Sequence, residues 1–253
     1  MAEGTKESGS EMTFFEHIGE LRKRIILSLV GIGLGCALTG TFVQEIMKEV
    51  LLKPAISANL SLQNLTPFGQ PFLYFKVILT TGIIVAFPWI LYQLWKFIAP
   101  GLYENEKKWA RKITFFTSLC FFSGVSFAYF VMIPTMLEFA ASFGTDYIKN
   151  QIDINEFFSF ITMLLLGAGL LFEMPMITYI LARVRILTPG FMCKYRRHAA
   201  VLILIIAAVI TPTPDPVSQL IFAVPLYVLY EISIWIARVV YREDNKSGNS
   251  TAE

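Results

Sequence analysis

Residues 77–95 read VILTTGIIVAFPWILYQLW, a run with no charge. A helix that crosses the hydrocarbon layer of a bilayer needs about 20 such residues. The pattern recurs. Residues 25–43 (IILSLVGIGLGCALTGTFV) and 113–133 carry no charge, and 157–181 carries one, Glu173. Two shorter runs follow at 199–210 and 220–237. With 55% hydrophobic and 16% charged residues, the chain is too apolar for a soluble domain of 253 residues. These runs predict an all-α integral membrane protein.

The cations alternate with the runs. Of the 21 Lys and Arg residues, 17 lie before the first run or after the second, fourth and sixth. Three lie in the remaining connections, and Lys76 stands at the edge of the second run. Positive residues mark the cytoplasmic side. The chain is therefore expected to cross six times with both termini in the cytoplasm. The expected spans are about 25–43, 73–97, 112–133, 157–181, 198–211 and 217–237, within a membrane domain at 13–240. A disordered tail is expected at 1–12 and a cytoplasmic tail at 241–253. A polar, mixed-charge segment precedes the first run, which argues against a secretory signal peptide. The net charge of +2 gives no basis for nucleic-acid binding.

Local patterns refine this outline. Thr13-x-x-Glu16 fits a capping box. Phe14, Ile18, Leu21 and Ile25 recur at helical spacing, so an interfacial helix is expected to lead into the first span. Pro88, Pro175 and Pro225 lie inside the second, fourth and sixth spans. Each removes a backbone hydrogen bond and is expected to kink its helix, giving a concave bundle. The fifth run is short and its connection, TPTPDPVSQ at 211–219, is tight. Spans five and six are thus expected to form a short hairpin that does not fill the membrane. Gly31-x-x-x-Gly35 suggests a close helix contact. Cys36, Cys120 and Cys193 show no metal-ligand spacing, and no nucleophile–base pattern or phosphate loop is present. A non-enzyme without metal or cofactor is expected.

Several acids stand out. Glu173 lies deep in the fourth span with no cation at helical spacing. A charge at such a depth costs about 2.5–3.5 kcal/mol, so Glu173 is either neutral, bonded to a neighbouring span, or turned to a wet concavity. In GLYENEKKW (101–109), Glu104 precedes Lys108 at the favoured four-residue spacing. Glu106 has no cation three or four residues away, and is the more available acceptor for an outside cation. Glu20 is intermediate, with Arg24 at i+4. Asp215 and Gln219 flank the short hairpin and read most simply as turn and helix-start residues.

HIGELRKR (17–24), FPWILYQLWKFIAPGLYENEKK (87–108), FAYF (127–130), FEMP (172–175) and PDPVSQ (214–219) together resemble the TatC family. These proteins are the receptor subunits of the twin-arginine translocation system. The resemblance runs from about residue 12 to residue 240. It implies a receptor for the signal peptides of folded cargo, working with single-span TatA and TatB partners and driven by the proton-motive force. It implies homo-oligomers within a receptor complex and a bacterial inner membrane, a thylakoid membrane being the alternative. It assigns twin-arginine binding to Glu106, Glu20, Arg22 and Phe97, and an intramembrane polar site to Glu173. It assigns partner docking at the outer hairpin to Asp215, Gln219 and one or both of Thr211 and Thr213. Asn105 departs from the family, which commonly has His before the loop glutamate. The rival reading is a proton-coupled small-solute transporter using Glu173.

Overall fold

The computed structural model describes residues 14–58, 60–98, 110–142, 151–210 and 216–249. Helix α1 (Phe14–Thr41) is followed by a cap of short elements: α2 (Val43–Glu45), a π-helical stretch (Ile46–Leu52), α3 (Lys53–Ser57) and strand β1 (Ser61–Gln63). Helix α4 (Gly69–Ile98) returns alongside α1. Helix α5 (Ala110–Phe127) passes through a π-helical turn (Ala128–Met132) into α6 (Ile133–Ser142). Strand β2 (Gln151–Asp153) leads into α7 (Ile154–Leu171) and α8 (Met174–Arg183). The short α9 (Pro189–Lys194), α10 (Arg196–Ile210) and the long α11 (Pro216–Asn249) complete the chain.

Among the described residues, five helical stretches are long and apolar enough to cross a membrane: Glu16–Thr41, Gly69–Ile98, Ile113–Ser142, Ile154–Arg183 and Gln219–Arg242. Helix α10 has 15 residues. It rises about 22 Å, short of the roughly 30 Å hydrocarbon layer. The brevity expected of the fifth run is therefore present in the fold. Helix α11 continues to Asn249, through part of the segment expected to be a tail. Adding residues to a formed helix is far easier than nucleating one.

The main core lies where α4, α6, α7 and α11 meet, around Leu73, Val77, Ile133, Phe158, Leu164 and Phe222. Helix α1 is peripheral. Its outer face leaves Leu29 60% and Leu34 68% exposed, as suits a surface covered by lipid.

The α1–α4 seam is antiparallel: Arg24 meets Gln93, Leu27 meets Trp89 and Thr39 meets Ile78. Glycine makes this approach possible. A Cβ on Gly35 would stand 2.5 Å from the Gly82 carbonyl oxygen, and one on Gly82 would stand 2.8 Å from the Cys36 backbone nitrogen. Gly31 leaves room for the Trp89 indole, whose Nε1–H donates to the Leu27 carbonyl at 2.9 Å. The Gly31-x-x-x-Gly35 pattern is thus a close helix contact, as expected.

Proline shapes the helices in two ways. Pro88 and Pro225 lie inside helices that continue past them. Near Pro175 the helix stops: α7 ends at Leu171 and α8 begins at Met174. Both π-helical stretches end two residues before a proline, Pro54 and Pro134. A widened turn relieves the clash between a proline ring and the preceding turn.

The strands were not foreseen. β1 and β2 pair in parallel, Ser61 with Gln151, Leu62 with Ile152 and Gln63 with Asp153. Asp153 then caps α7, accepting from the Asn155 and Glu156 N–H groups at 2.7 and 3.3 Å. Its other oxygen accepts from the Leu65 N–H at 3.0 Å. One carboxylate therefore ties the two caps together at this end of the bundle.

Candidate functional site at the start of α1

The first turns of α1 lie beside the last turns of α4. Glu20 and Arg24 are one helical turn apart, and the Arg24 Nη2 donates to Glu20 Oε1 at 2.8 Å. Arg24 Nη1 reaches across the seam to Gln93 Oε1 at 3.2 Å. Gln93 is 2% exposed, so its amide is a fixed acceptor and Arg24 is held at both ends of its fork. Both side chains of the ion pair retain 19% exposure. Even a solvent-exposed i,i+4 pair contributes only about 0.3–0.5 kcal/mol, and this one is half-buried. The chief effect of this arrangement is to aim Glu20.

Phe97 completes the same rim. It lies one turn beyond Gln93 on α4, and its ring stacks on His17 of α1 at 4.5 Å between centroids. Arg22 is exposed. The structure thus brings Glu20 and Phe97 to one end of the seam. Glu106, with Glu104 and Lys108, lies outside the described residues. It falls between the end of α4 at Ile98 and the start of α5 at Ala110, and both of these lie at this end of the bundle.

Glu173 lies elsewhere. It occupies the gap between α7 and α8, where its carbonyl accepts from Met176 N–H and Ile177 N–H. The side chain is 5% exposed, and neither carboxyl oxygen has a hydrogen-bond partner among the described residues. Pro175 has no N–H to offer Leu171 four residues back, so the break sits where the ladder loses a donor. The expected absence of a compensating cation at helical spacing therefore has a structural counterpart. The acid lies at a helix end inside the bundle, not on an unbroken helix.

Gln219 joins the hairpin of α10 and α11, donating from Nε2 to the Leu204 carbonyl at 3.0 Å. Thr211, Thr213 and Asp215 lie outside the described residues. Among the described residues no cluster of three or more His, Cys, Asp or Glu could hold a metal ion.

Gln93 was missed in the sequence reading, although its signal is plain: it is the one side-chain amide in the charge-free run 77–95. Asp153 also had a signal, an Asp three residues ahead of Glu156 at the head of an apolar run.

Comparison with known proteins identifies the family of the chain. The family profile described as Sec-independent protein translocase protein (TatC) matches residues 16–225. TatCy of Bacillus subtilis is 39% identical over 246 residues, covering 96% of this chain and 95% of the relative. TatC of Carboxydothermus hydrogenoformans is 36% identical over 229 residues, covering 90% and 94%. A crystal structure of the twin-arginine translocase receptor TatC superposes with a TM-score of 0.76 at 33% identity, covering 89% of this chain and all of that one. The chain belongs to the TatC family of Sec-independent protein translocase proteins.

Proposed function

We propose that this chain is the twin-arginine signal-peptide receptor and core subunit of a translocase that moves folded proteins. Glu106 and Glu20 read the two arginines, with Arg22 and Phe97 at the same rim. The observation that carries this reading is the aimed carboxylate of Glu20. It is partly exposed, held by Arg24 and Gln93, and stands beside the His17–Phe97 stack at the bundle end where the Glu106 loop begins.

A guanidinium presents a planar fork that matches a carboxylate. Two charge-assisted contacts supply about 3–6 kcal/mol, whereas micromolar binding needs about 8 kcal/mol. The arginines therefore select the ligand, and the apolar part of the signal adds the remaining contacts. The concave side that holds Glu173 is the proposed location of those contacts.

In this reading the chain crosses six times with both termini cytoplasmic, α10 being the fifth crossing. The membrane is the bacterial inner membrane and the driving force is the proton-motive force. Single-span TatA and TatB partners dock at the α10–α11 hairpin around Thr211, Thr213, Asp215 and Gln219, and several copies assemble. A small-solute carrier using Glu173 draws no support from the family to which the chain belongs.

The test is crosslinking of a signal peptide to the protein in membranes. Glu106→Gln and Glu20→Gln should each reduce crosslinking, and Glu106→Asp should retain more of it than Glu106→Gln. A Lys-Lys peptide should crosslink less than its Arg-Arg parent. Equal crosslinking by wild type and Glu106→Gln would overturn the assignment.

A further inference from the structure

Residues 181–198 contain Arg183, Arg185, Lys194, Arg196 and Arg197, and no Asp or Glu. Arg196 is committed inward, its Nη2 lying 2.7 Å from Glu231 Oε2 on α11. Arg185, Lys194 and Arg197 are exposed, and none has an acidic partner among the described residues.

The same elbow exposes apolar groups. Ile186 is 71% exposed, Phe191 55% and Tyr195 38%. The rings of Phe191 and Tyr195 lie 4.6 Å apart, and Lys194 Nζ lies 5.9 Å from the Tyr195 ring. The other side of α9 is anchored. Met192 is buried in a cluster with Ala182, Ile234 and Ala237, and its carbonyl accepts from the Tyr230 hydroxyl at 2.9 Å. A short helix fixed by one face thus presents Phe191, Tyr195 and Lys194 side by side on the other.

Arg185 sharpens the pattern. Its φ of 60° makes it the one non-glycine residue with positive φ among the described residues. It closes α8 in the position that glycine ordinarily fills, with the Ile186 N–H returning to the Leu181 carbonyl at 2.9 Å. Glycine would close this turn with less steric strain. The position instead carries a cation and leaves it exposed.

We infer that this elbow is a binding site for anionic phospholipid headgroups. Arg185, Lys194 and Arg197 contact the lipid phosphate, while Ile186, Phe191 and Tyr195 enter the boundary between headgroup and acyl chains. Adjacent cations and rings at the end of membrane-spanning helices suit that boundary. With Glu231 already held by Arg196, and Arg185, Lys194 and Arg197 without an acidic partner among the described residues, the cluster favours a headgroup with net negative charge over a zwitterionic one.

The test uses the full chain purified in mild detergent. Thermal unfolding is followed during titration with short-chain phosphatidylglycerol, with phosphatidylcholine, and with inorganic phosphate. Phosphatidylglycerol should stabilise the wild type, and the other two should not. Each neutralised cation should weaken the phosphatidylglycerol response about fivefold, so Arg185→Gln/Lys194→Gln/Arg197→Gln should weaken it roughly 100-fold. Arg185→Gly provides a variant suited to the local backbone, and should lose about fivefold while remaining folded. Lys48→Gln/Lys53→Gln, at the opposite end, should leave the response unchanged. An undiminished response in both the triple variant and Arg185→Gly would overturn the site. So would equal loss in the Lys48/Lys53 control. A shift reproduced by inorganic phosphate alone would replace the lipid with a free anion.

Discussion

The α1–α4 seam and the break between α7 and α8 handle polar groups in opposite ways. At the seam, Gly35 and Gly82 let two backbones approach, and the neighbouring polar groups find partners across it: Trp89 on Leu27, Thr39 on Ile78, Arg24 on Gln93. At the break, Pro175 ends a hydrogen-bond ladder and Glu173 is left buried without a partner among the described residues. Close packing satisfies most of the seam's polar atoms from within the chain, Arg24 Nε being an exception. An interrupted helix leaves an acid to be satisfied by something else, such as water, its own proton or another molecule.

The contrast can be broken most sharply at Gly82. A leucine there would drive into the α1 backbone at Cys36. Overpacking costs about 1–3 kcal/mol, and occasionally more. Gly82→Leu should therefore lower the unfolding midpoint in detergent more than any change below, and an unchanged midpoint would mean a looser seam. Gln93→Leu should come next, at about 1–3 kcal/mol, because it strips Arg24 of its cross-seam acceptor while Arg24 Nε is already buried without one. Glu173→Leu should go the other way, because replacing an unpartnered buried polar group with an apolar one is often neutral or stabilising. A clear destabilisation by Glu173→Leu in the same melts would show that the acid has a structural partner and erase the distinction between the two regions.

The smallest effect belongs to the caps. Hydrogen bonds from Leu65 N–H, and then from Asn155 and Glu156 N–H, hold the Asp153 carboxyl below its usual range. Its folded pKa is depressed, so its stabilisation is fully present above the unfolded value of about 3.9. That stabilisation is lost as pH falls through the lower folded value. The melting midpoint should be insensitive to Asp153 between pH 5 and 7 and should acquire an Asp153-dependent fall below about pH 4. Asp153→Asn should remove that part of the pH dependence, as read by comparing melts of the two proteins across the range.

Much of this was legible in the sequence. Charge-free runs locate the long helices because the bilayer demands length and apolarity, and 31 and 35 mark the close approach because only glycine permits it. The i,i+4 pairing of Glu20 with Arg24 follows from helical spacing alone. Its anchor, Gln93, does not, because 69 positions separate it from Arg24 and only the docking of α4 brings them together. The depth of Glu173 was legible, but the helix end that surrounds it was not. A proline in a span predicts a lost bond; whether the helix continues past it, as at Pro88, or stops, as near Pro175, depends on packing. The strands were hidden because three residues each, Ser-Leu-Gln and Gln-Ile-Asp, are too few to show alternation.

That strand pair imposes an order on assembly. Its partners are 90 positions apart, and parallel strands require a crossover, here made of α4, α5 and α6. At a synthesis rate of about 5–20 residues per second, β1 waits about 5–20 s for its partner. Throughout that interval Ser61–Gln63 lacks the partner it has in the fold. The wait ends at Asp153, which receives Leu65 and starts α7 with the same carboxylate. Closure of the cap and the start of the next long helix therefore depend on the same side chain.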